Sequence, residues 1–308
     1  MFDSLWVEKY RPKTLNELVL TKANRVSLLE LEKRQEIPNL LFIGHAGIGK
    51  TSLAKIITND ILKCQYIYIN ASDENGIDTI RTKVTSFSQT KSLDGKLKVI
   101  ILDEVDGLTM DAQRALRNTM EEYSSNTRFI LTANYKHRVI PPLHSRTQSY
   151  DLSPPIENCV ERVCYILKSE NINVDSKDKP NLVKLIKCHF PDLRKTINEI
   201  QKSCVGGSLI IKTLSRHDEF IKKVLECTLT DSLSVRKYVI ENEQLFNNDY
   251  PSLLTDLFNY IMDSNLESTV KKQSMLVVSE HLYRSAFVLD QEINFYSCCI
   301  QLEKSRAR

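Results

Sequence analysis

Gly44-His45-Ala46-Gly47-Ile48-Gly49-Lys50-Thr51 has the glycine, lysine and hydroxyl placement of a phosphate-binding loop, G-x-x-x-x-G-K-[ST]. Its glycines let the backbone turn tightly enough for successive N–H groups to converge on a phosphate. The helix that follows adds the positive end of its dipole. Lys50 would reach the β- and γ-phosphates, and the Thr51 hydroxyl would ligate Mg²⁺. An acidic pair closes the apolar run 98–102. Asp103 would hold the metal shell, and Glu104 would orient and deprotonate an attacking water. Asn134 ends the run 128–132 with a neutral amide, placed either to position that water or to serve as a strand-exit turn. Arg146, after the Pro141-Pro142 turn, reads alone as a solvated charge. Beside a lysine and a metal it reads as an additional cation that a neighbouring subunit would receive. Arg194 sits near a helix start, where a basic side chain opposes the dipole, and that placement suggests an external anion. The chemistry this set suits is phosphoryl transfer from a nucleotide to water.

Such residues need rigid elements behind them. Apolar runs at 40–43, 66–70, 98–102 and 128–132, with a shorter one near 147–151, read as buried strands. Helical spacing falls between them, at 22–35, 51–62, 77–88 and 110–122. Strands alternating with helices mean a parallel sheet covered on both faces, with the ligand at the carboxyl ends of the strands. In the helix at 77–88, Ile77, Ile80, Val84 and Phe87 form a core stripe. After Ser153-Pro154-Pro155 the strand signals stop. Residues 156–204 read as three helices, with breaks near 172–178 and 190–191, and Pro191 and Asp192 suit the first turn of the last one. Gly206-Gly207 reads as a boundary, and 208–303 as all helical, with Pro251 opening one helix. The expected division is therefore 1–152, 153–206 and 207–308.

With 42% hydrophobic and 26% charged residues the composition is that of a globular protein. A net charge of +3 is too small to identify a nucleic-acid partner, so any basic surface must be local. No run approaches the roughly 18 apolar residues of a membrane span, and the first residues do not read as a signal peptide. Eight scattered cysteines without a C-x-x-C pair read as reduced thiols of an intracellular protein. The exposed positions Arg114 and Arg117, near Gln113, and Arg81 on the preceding helix, are solvated charges or phosphate contacts.

Taken together, the phosphate loop, Asp103-Glu104-Val105-Asp106, Thr132-Ala133-Asn134, Ser145-Arg146-Thr147 and Pro191-Asp192-Leu193-Arg194 follow the order seen in AAA+ ATPases. The lead-in Glu8-Lys9-Tyr10-Arg11-Pro12, the stretch from Asn70-Ala71-Ser72-Asp73 through Gly76-Ile77-Asp78 to Arg81, and Asp111-Ala112-Gln113 through Met120-Glu121 narrow the likeness. The chain resembles a sliding-clamp loader ATPase subunit, of the replication factor C small-subunit kind and its tailed-phage equivalents, over 4–205. The tail resembles the family's collar only by position and helicity. The resemblance implies an α/β AAA+ parallel-sheet domain, a small helical lid and an all-helical collar that oligomerises. It implies ATP and Mg²⁺ as cofactors, with ATP held by Lys9, Tyr10, Arg11 and Pro12 on the adenine side. Gly44, Gly47, Ile48, Gly49, Lys50, Thr51 and Ser52 would hold the phosphates, and Thr51 and Asp103 the metal. Glu104, Lys50, Asn134, Arg146 and Arg194 would be catalytic, with Asn134 and Arg194 sensing the γ-phosphate and Arg146 acting in trans. Arg81, Arg114 and Arg117 would follow the backbone of primer–template DNA inside a five-subunit spiral. Asn75, Gln113 and Arg117 would couple that contact to Glu104, and residues around Phe87 to Asp94 would touch the clamp. The implied place is intracellular and soluble, cytoplasmic with the nucleus left open, and no membrane is involved. Two departures stand out: Thr147 where the family usually has cysteine, and His45-Ala46 where Pro-Pro is frequent. The cysteine cluster of the bacterial tau/gamma branch is absent. A scaffold subunit that binds ATP without turnover, and another AAA+ motor that remodels DNA, are the alternatives.

Overall fold

The computed structural model describes residues 5–34, 36–90, 97–210, 213–246 and 248–306, and the chain divides into two compact units, Met1–Ile210 and Ile211–Arg308. In the first unit, β1 (Leu40–Ile43), β2 (Tyr66–Asn70), β3 (Lys98–Asp103), β4 (Thr127–Ala133) and β5 (Gln148–Asp151) form one parallel sheet. The order across it is β2-β3-β4-β1-β5. Each strand lies within one residue of its expected run.

Near-continuous apolar runs are what a sheet buried on both faces demands. Every residue of β1 and β3 is buried. Successive side chains point to opposite faces, and the core divides accordingly. Leu40, Phe42, Val99 and Ile101 pack on one face with Leu53 and Ile57. Leu41, Ile43, Ile100 and Leu102 pack on the other with Ile80, Val84 and Leu116. Partial burial of Ile77 and Phe87 against that second cluster completes the expected stripe.

Register brings the chemistry to one edge. Ile43 pairs with Ala133 and Asn70 with Asp103, so the strands that carry the motifs end side by side. Helices α1 (Lys22–Arg34), α2 (Lys50–Ile56) and α3 (Met110–Glu122) flank the sheet region in sequence, and the Thr109 hydroxyl caps α3 by accepting from Ala112 N at 3.2 Å. Two expected helices wind wider than α over part of their length. After α2 the chain is π-helical over Ile57–Leu62, where the Thr58 hydroxyl turns back onto Ala54 O at 3.2 Å. The stretch from Ile77 is α over Ile77–Thr79, π over Ile80–Val84 and α again over Thr85–Gln89. There the Thr85 hydroxyl donates to Ile80 O, five residues back, at 3.1 Å. Hydroxyls competing for helix carbonyls loosen the winding in this way.

Three helices follow the sheet, α4 (Ile156–Ser169), α5 (Lys179–His189) and α6 (Leu193–Ser203). Asp192 is the N-cap of α6, accepting from Lys195 N at 2.9 Å, so Pro191 and Asp192 lie just before the first turn rather than in it. The helical stretch expected from 208 is corrected at its start. Gly206 and Gly207 have φ of 59° and 80° and turn an antiparallel hairpin between Cys204–Val205 and Ser208–Leu209. Two consecutive residues with positive φ are what a tight hairpin turn requires, so 208–209 is strand and not helix.

The second unit is helical: α7 (Thr213–Thr230), α8 (Ser232–Glu241), α9 (Tyr250–Asp263), α10 (Ser268–Ser285) and α11 (Gln291–Arg306). Pro251 opens α9, and Asp249 caps it by accepting from Ser252 N at 3.1 Å. Val224, Val239, Leu257, Val278 and Phe295 fill its core. None of the eight cysteines is joined in a disulfide, and no described helix is long and apolar enough to cross a membrane.

Candidate active site

The phosphate loop leaves the carboxyl end of β1 and turns into α2. Gly49 takes the left-handed conformation, φ 100°, immediately before the helix, where a side chain would be strained. Gly47, at φ 76°, is constrained from outside as well. A Cβ there would fall 1.8 Å from Asp192 Oδ1, so helix α6 starts directly against the loop. Lys50 is only 6% exposed, and a buried ammonium needs acceptors. It donates to Gly44 O and His45 O at 2.8 Å and to Asn134 Oδ1 at 2.7 Å. Burial lowers its pKa, while the charges of Asp103, Asp106 and Glu104 act in the other direction.

Asp103 ends β3 with donors on both carboxylate oxygens. Thr51 Oγ1 lies 2.9 Å from Oδ1 and 2.8 Å from Oδ2, and Thr132 Oγ1 donates to Oδ1 at 2.5 Å. Tyr68 OH donates to Oδ2 at 2.8 Å. Burial, then the Asp103 hydrogen bond and charge, hold that phenol well above its usual value. A hydroxyl beside a carboxylate is a hard-oxygen pair that suits Mg²⁺, which keeps several waters and takes its remaining ligands from phosphates. Glu104 adopts φ 58°, unusual for a residue with a side chain, and its N–H donates to the Thr132 hydroxyl at 2.9 Å. Its Oε2 accepts from Ser72 Oγ at 2.6 Å. Asp106 ties the β3 and β4 ends together by accepting from the N–H groups of Asn134, at 3.2 Å, and Tyr135, at 3.0 Å.

A cleft of about 350 Å³ opens along this edge. Tyr10, Arg11 and Pro12 line it from the lead-in, Gly47, Ile48, Gly49, Thr51 and Ser52 from the loop, and Arg194 from α6. Lys50 and Asn134 line the adjoining space with Thr51, Asp103 and Glu104. Lys9 does not line it. Its ammonium reaches Glu170 Oε1 at 2.6 Å, raising the Lys9 pKa, and Tyr10 OH donates to the same oxygen at 2.6 Å. Lys9 therefore ties the lead-in to the end of α4. Gly44 is absent from the lining too. Its carbonyl holds Lys50 and its N–H donates to Ala133 O at 3.2 Å.

Other expected residues lie elsewhere. Arg146 is outside the cleft lining; it donates to Pro142 O at 3.0 Å and is ion-paired with Glu121 at the end of α3. On α3 the Arg114 side chain is 68% and that of Arg117 40% exposed, bonded to Asp111 at 3.2 Å and to Asn118 at 2.8 Å. Gln113 is buried and occupied, donating to Leu108 O and Arg138 O and accepting from Ile140 N at 2.9 Å. It locks α3 to the segment after β4. Among the described residues, the side chain that donates to the Glu104 carboxylate is that of Ser72. The side chain of Arg81, and positions 91–96 of the expected clamp-facing stretch, lie outside the described residues. Sequence reasoning missed Tyr68, Ser72, Lys55, Arg162 and the apolar wall of Val7, Leu18, Val19 and Ile197. For Ser72 the signal was present in the quoted Asn70-Ala71-Ser72-Asp73, but not its target. Tyr68 gives none until β2 is known to pair with β3.

The family model for "ATPase family associated with various cellular activities (AAA)" matches residues 40–153. A replication factor C small subunit of Methanococcus maripaludis is 41% identical over 255 residues, covering 79% of this chain and 78% of that one. One of Sulfolobus acidocaldarius is 41% identical over 218 residues, 69% of this chain and 66% of that one. Among solved structures, a RuvB mutant of Thermotoga maritima superposes with a TM-score of 0.54 at 15% identity, over 94% of this chain and 90% of its own. That likeness is one of fold.

Proposed function

This chain belongs to the family of replication factor C small subunits, AAA ATPases of sliding-clamp loaders, and we propose that its ATP site is the cleft where Lys50, Thr51, Asp103, Glu104 and Asn134 converge under Arg194. That convergence carries the reading. Separate strands and the lid helix bring a phosphate-binding lysine, a metal-type oxygen pair, a carboxylate and an arginine to one edge.

Tyr10, Arg11 and Pro12 hold the base side of ATP, and the loop N–H groups with Lys50 hold its phosphates. Thr51 and Asp103 hold Mg²⁺, which when bound neutralises developing charge on the phosphates. Glu104 takes a proton from water as the water oxygen bonds to the γ-phosphorus and the bond to the ADP oxygen breaks. Asn134 orients that water and keeps Lys50 in place. Arg194 contacts the γ-phosphate from the lid, and Arg146 reaches the ATP of a neighbouring subunit. Residues 1–152 act as the nucleotide domain, 153–206 as its lid and 207–308 as the collar that joins subunits. Arg81, Arg114 and Arg117 offer sequence-independent contacts to the DNA backbone.

In the assembly, ATP and DNA favour one subunit arrangement because each touches residues of two subunits, which is a population shift. ATP binding holds the clamp open, primer–template DNA completes the sites, and hydrolysis releases the closed clamp. The test is steady-state ATP turnover of the reconstituted assembly with and without its clamp and primed DNA. We expect stimulation on the order of tenfold, the size of a coupling of about 1–3 kcal/mol. No stimulation in the full assembly would overturn the proposal.

A further inference from the structure

Tyr68 stands two residues before the end of β2, 42% exposed, and lines the cleft beside Thr51. The sheet order places β3 between β2 and β4. The Asp103 carboxylate at the end of β3 is thereby gripped from both flanking strands. Thr132 donates to Oδ1 from β4 at 2.5 Å, and Tyr68 donates to Oδ2 from β2 at 2.8 Å. The terminal torsion of a carboxylate is broad and poorly defined by itself. One donor on each oxygen removes that freedom and leaves the edge toward the Thr51 hydroxyl, at 2.8–2.9 Å, presented in one orientation. The Tyr68 ring is itself held. Lys55, one helical turn after Thr51, places its ammonium 4.8 Å from the ring centroid. A loosely held surface tyrosine would have neither contact.

We propose that Tyr68 is a positioning residue of the metal site, fixing the rotation of the Asp103 carboxylate and so setting the affinity for the divalent cation that accompanies the nucleotide. The inference rests on the assignment of Thr51 and Asp103 to the metal. Outer partners of a metal-holding group commonly govern metal affinity in this way. A merely structural tyrosine, pinning β2 to β3, would affect folding stability and leave metal binding alone.

The experiment uses the full chain with a saturating non-hydrolysable ATP analogue and titrates Mn²⁺ by electron paramagnetic resonance. Tyr68→Phe keeps the ring and its Lys55 contact and deletes only the hydroxyl. We expect its half-saturating Mn²⁺ concentration to rise about tenfold, at the lower end of outer-partner effects. Affinity for the analogue in the presence of a chelator should stay within about twofold of wild type, well inside that range. A Mn²⁺ curve that does not move, or an equal loss of metal-free nucleotide affinity, would overturn the inference. Asp103→Asn, run in parallel, separates the two layers. If it weakens Mn²⁺ while Tyr68→Phe does not, only the role of Tyr68 falls. If it binds Mn²⁺ like wild type, the metal assignment falls and the inference with it.

Discussion

Glu104 carries the clearest tension at the scale of single residues. It takes φ 58°, a conformation that costs a residue with a side chain on the order of 1 kcal/mol. One of its carboxylate oxygens, Oε2, accepts from Ser72 Oγ at 2.6 Å, a bond that competes with the activation of water. A hydrogen bond to a charged group contributes about 1.5–3 kcal/mol, and exposure of Ser72 reduces that by solvent screening. If this bond holds Glu104 back, Ser72→Ala should raise turnover in the absence of DNA about fivefold, or about 1 kcal/mol. The rate with clamp and primed DNA should change less than twofold on the same scale. Steady-state assays under both conditions decide it, and an unchanged DNA-free rate would mean that the serine restrains nothing. The residues legible beforehand were those whose meaning lies in local spacing: the loop from Gly47 to Thr51, and Asp103-Glu104 and Asn134 at the ends of apolar runs. Ser72 and Tyr68 meet their partners 32 and 35 positions away along the chain, through strand pairing. One chain read alone carries no record of which strands are neighbours. Lys9 illustrates the converse, because a motif position was legible while its target, Glu170, was not.

The central elements were legible because strands buried on both faces must be mostly apolar, as β1, β3 and β4 are, whereas β5, exposed at three of its four residues, gave the weakest signal. What escaped depended on one or two residues: hydroxyls that widen the end of α2 and the 77–89 stretch into π turns, and a double glycine that turns a hairpin into 208–209, where helix was expected. Lys98 shows how one polar residue can still open a buried strand. It is 1% exposed, donates to Phe87 O and to Thr90 Oγ1, the latter at 2.6 Å, and lies 4.0 Å from the Phe87 ring centroid. It therefore joins the start of β3 to the end of the Thr85–Gln89 helix. Burial lowers its pKa from the ordinary 10.5. In the pH window between that lowered value and 10.5 the unfolded chain binds more protons than the folded one, so this group's contribution makes stability rise with pH. Below the window the folded chain bears the cost of a buried charge in full. Lys98→Met lacks the titration. Its stability relative to wild type should therefore fall as pH increases toward 10.5, in urea unfolding run from about pH 8 upward. Comparing the two chains cancels the tyrosines, whose raised values act with the opposite sign. Profiles that stay parallel would show that the Lys98 proton plays no part.

For the whole molecule the decisive residue is the one the cleft does not contain. Arg146 lies outside the lining and is paired with Glu121, both about a third to a half exposed. Ion pairs that exposed contribute about 0–1 kcal/mol, so Glu121 is no obstacle to a partner that offers a phosphate. On our reading each subunit supplies Lys50 to its own ATP and Arg146 to the ATP next door, in a head-to-tail arrangement. The arrangement predicts complementation. Assemblies in which every ATPase subunit carries Lys50→Ala should fail for want of nucleotide. Those carrying Arg146→Ala throughout should bind nucleotide normally and lose about 10³-fold in stimulated turnover, the lower range for such arginines. Mixed in equal amounts, the two variants should regain activity. Random head-to-tail pairing sets an intact Lys50 against an intact Arg146 at roughly a quarter of all interfaces between ATPase subunits. Nucleotide binding and assembly, measured alongside by filter binding and native mass, show whether a low rate reflects chemistry or a failure to assemble. A mixture as inactive as its parents, fully assembled and loaded, would place Arg146 in its own subunit's chemistry. So would an isolated Arg146→Ala subunit that loses turnover as severely as the assembly does.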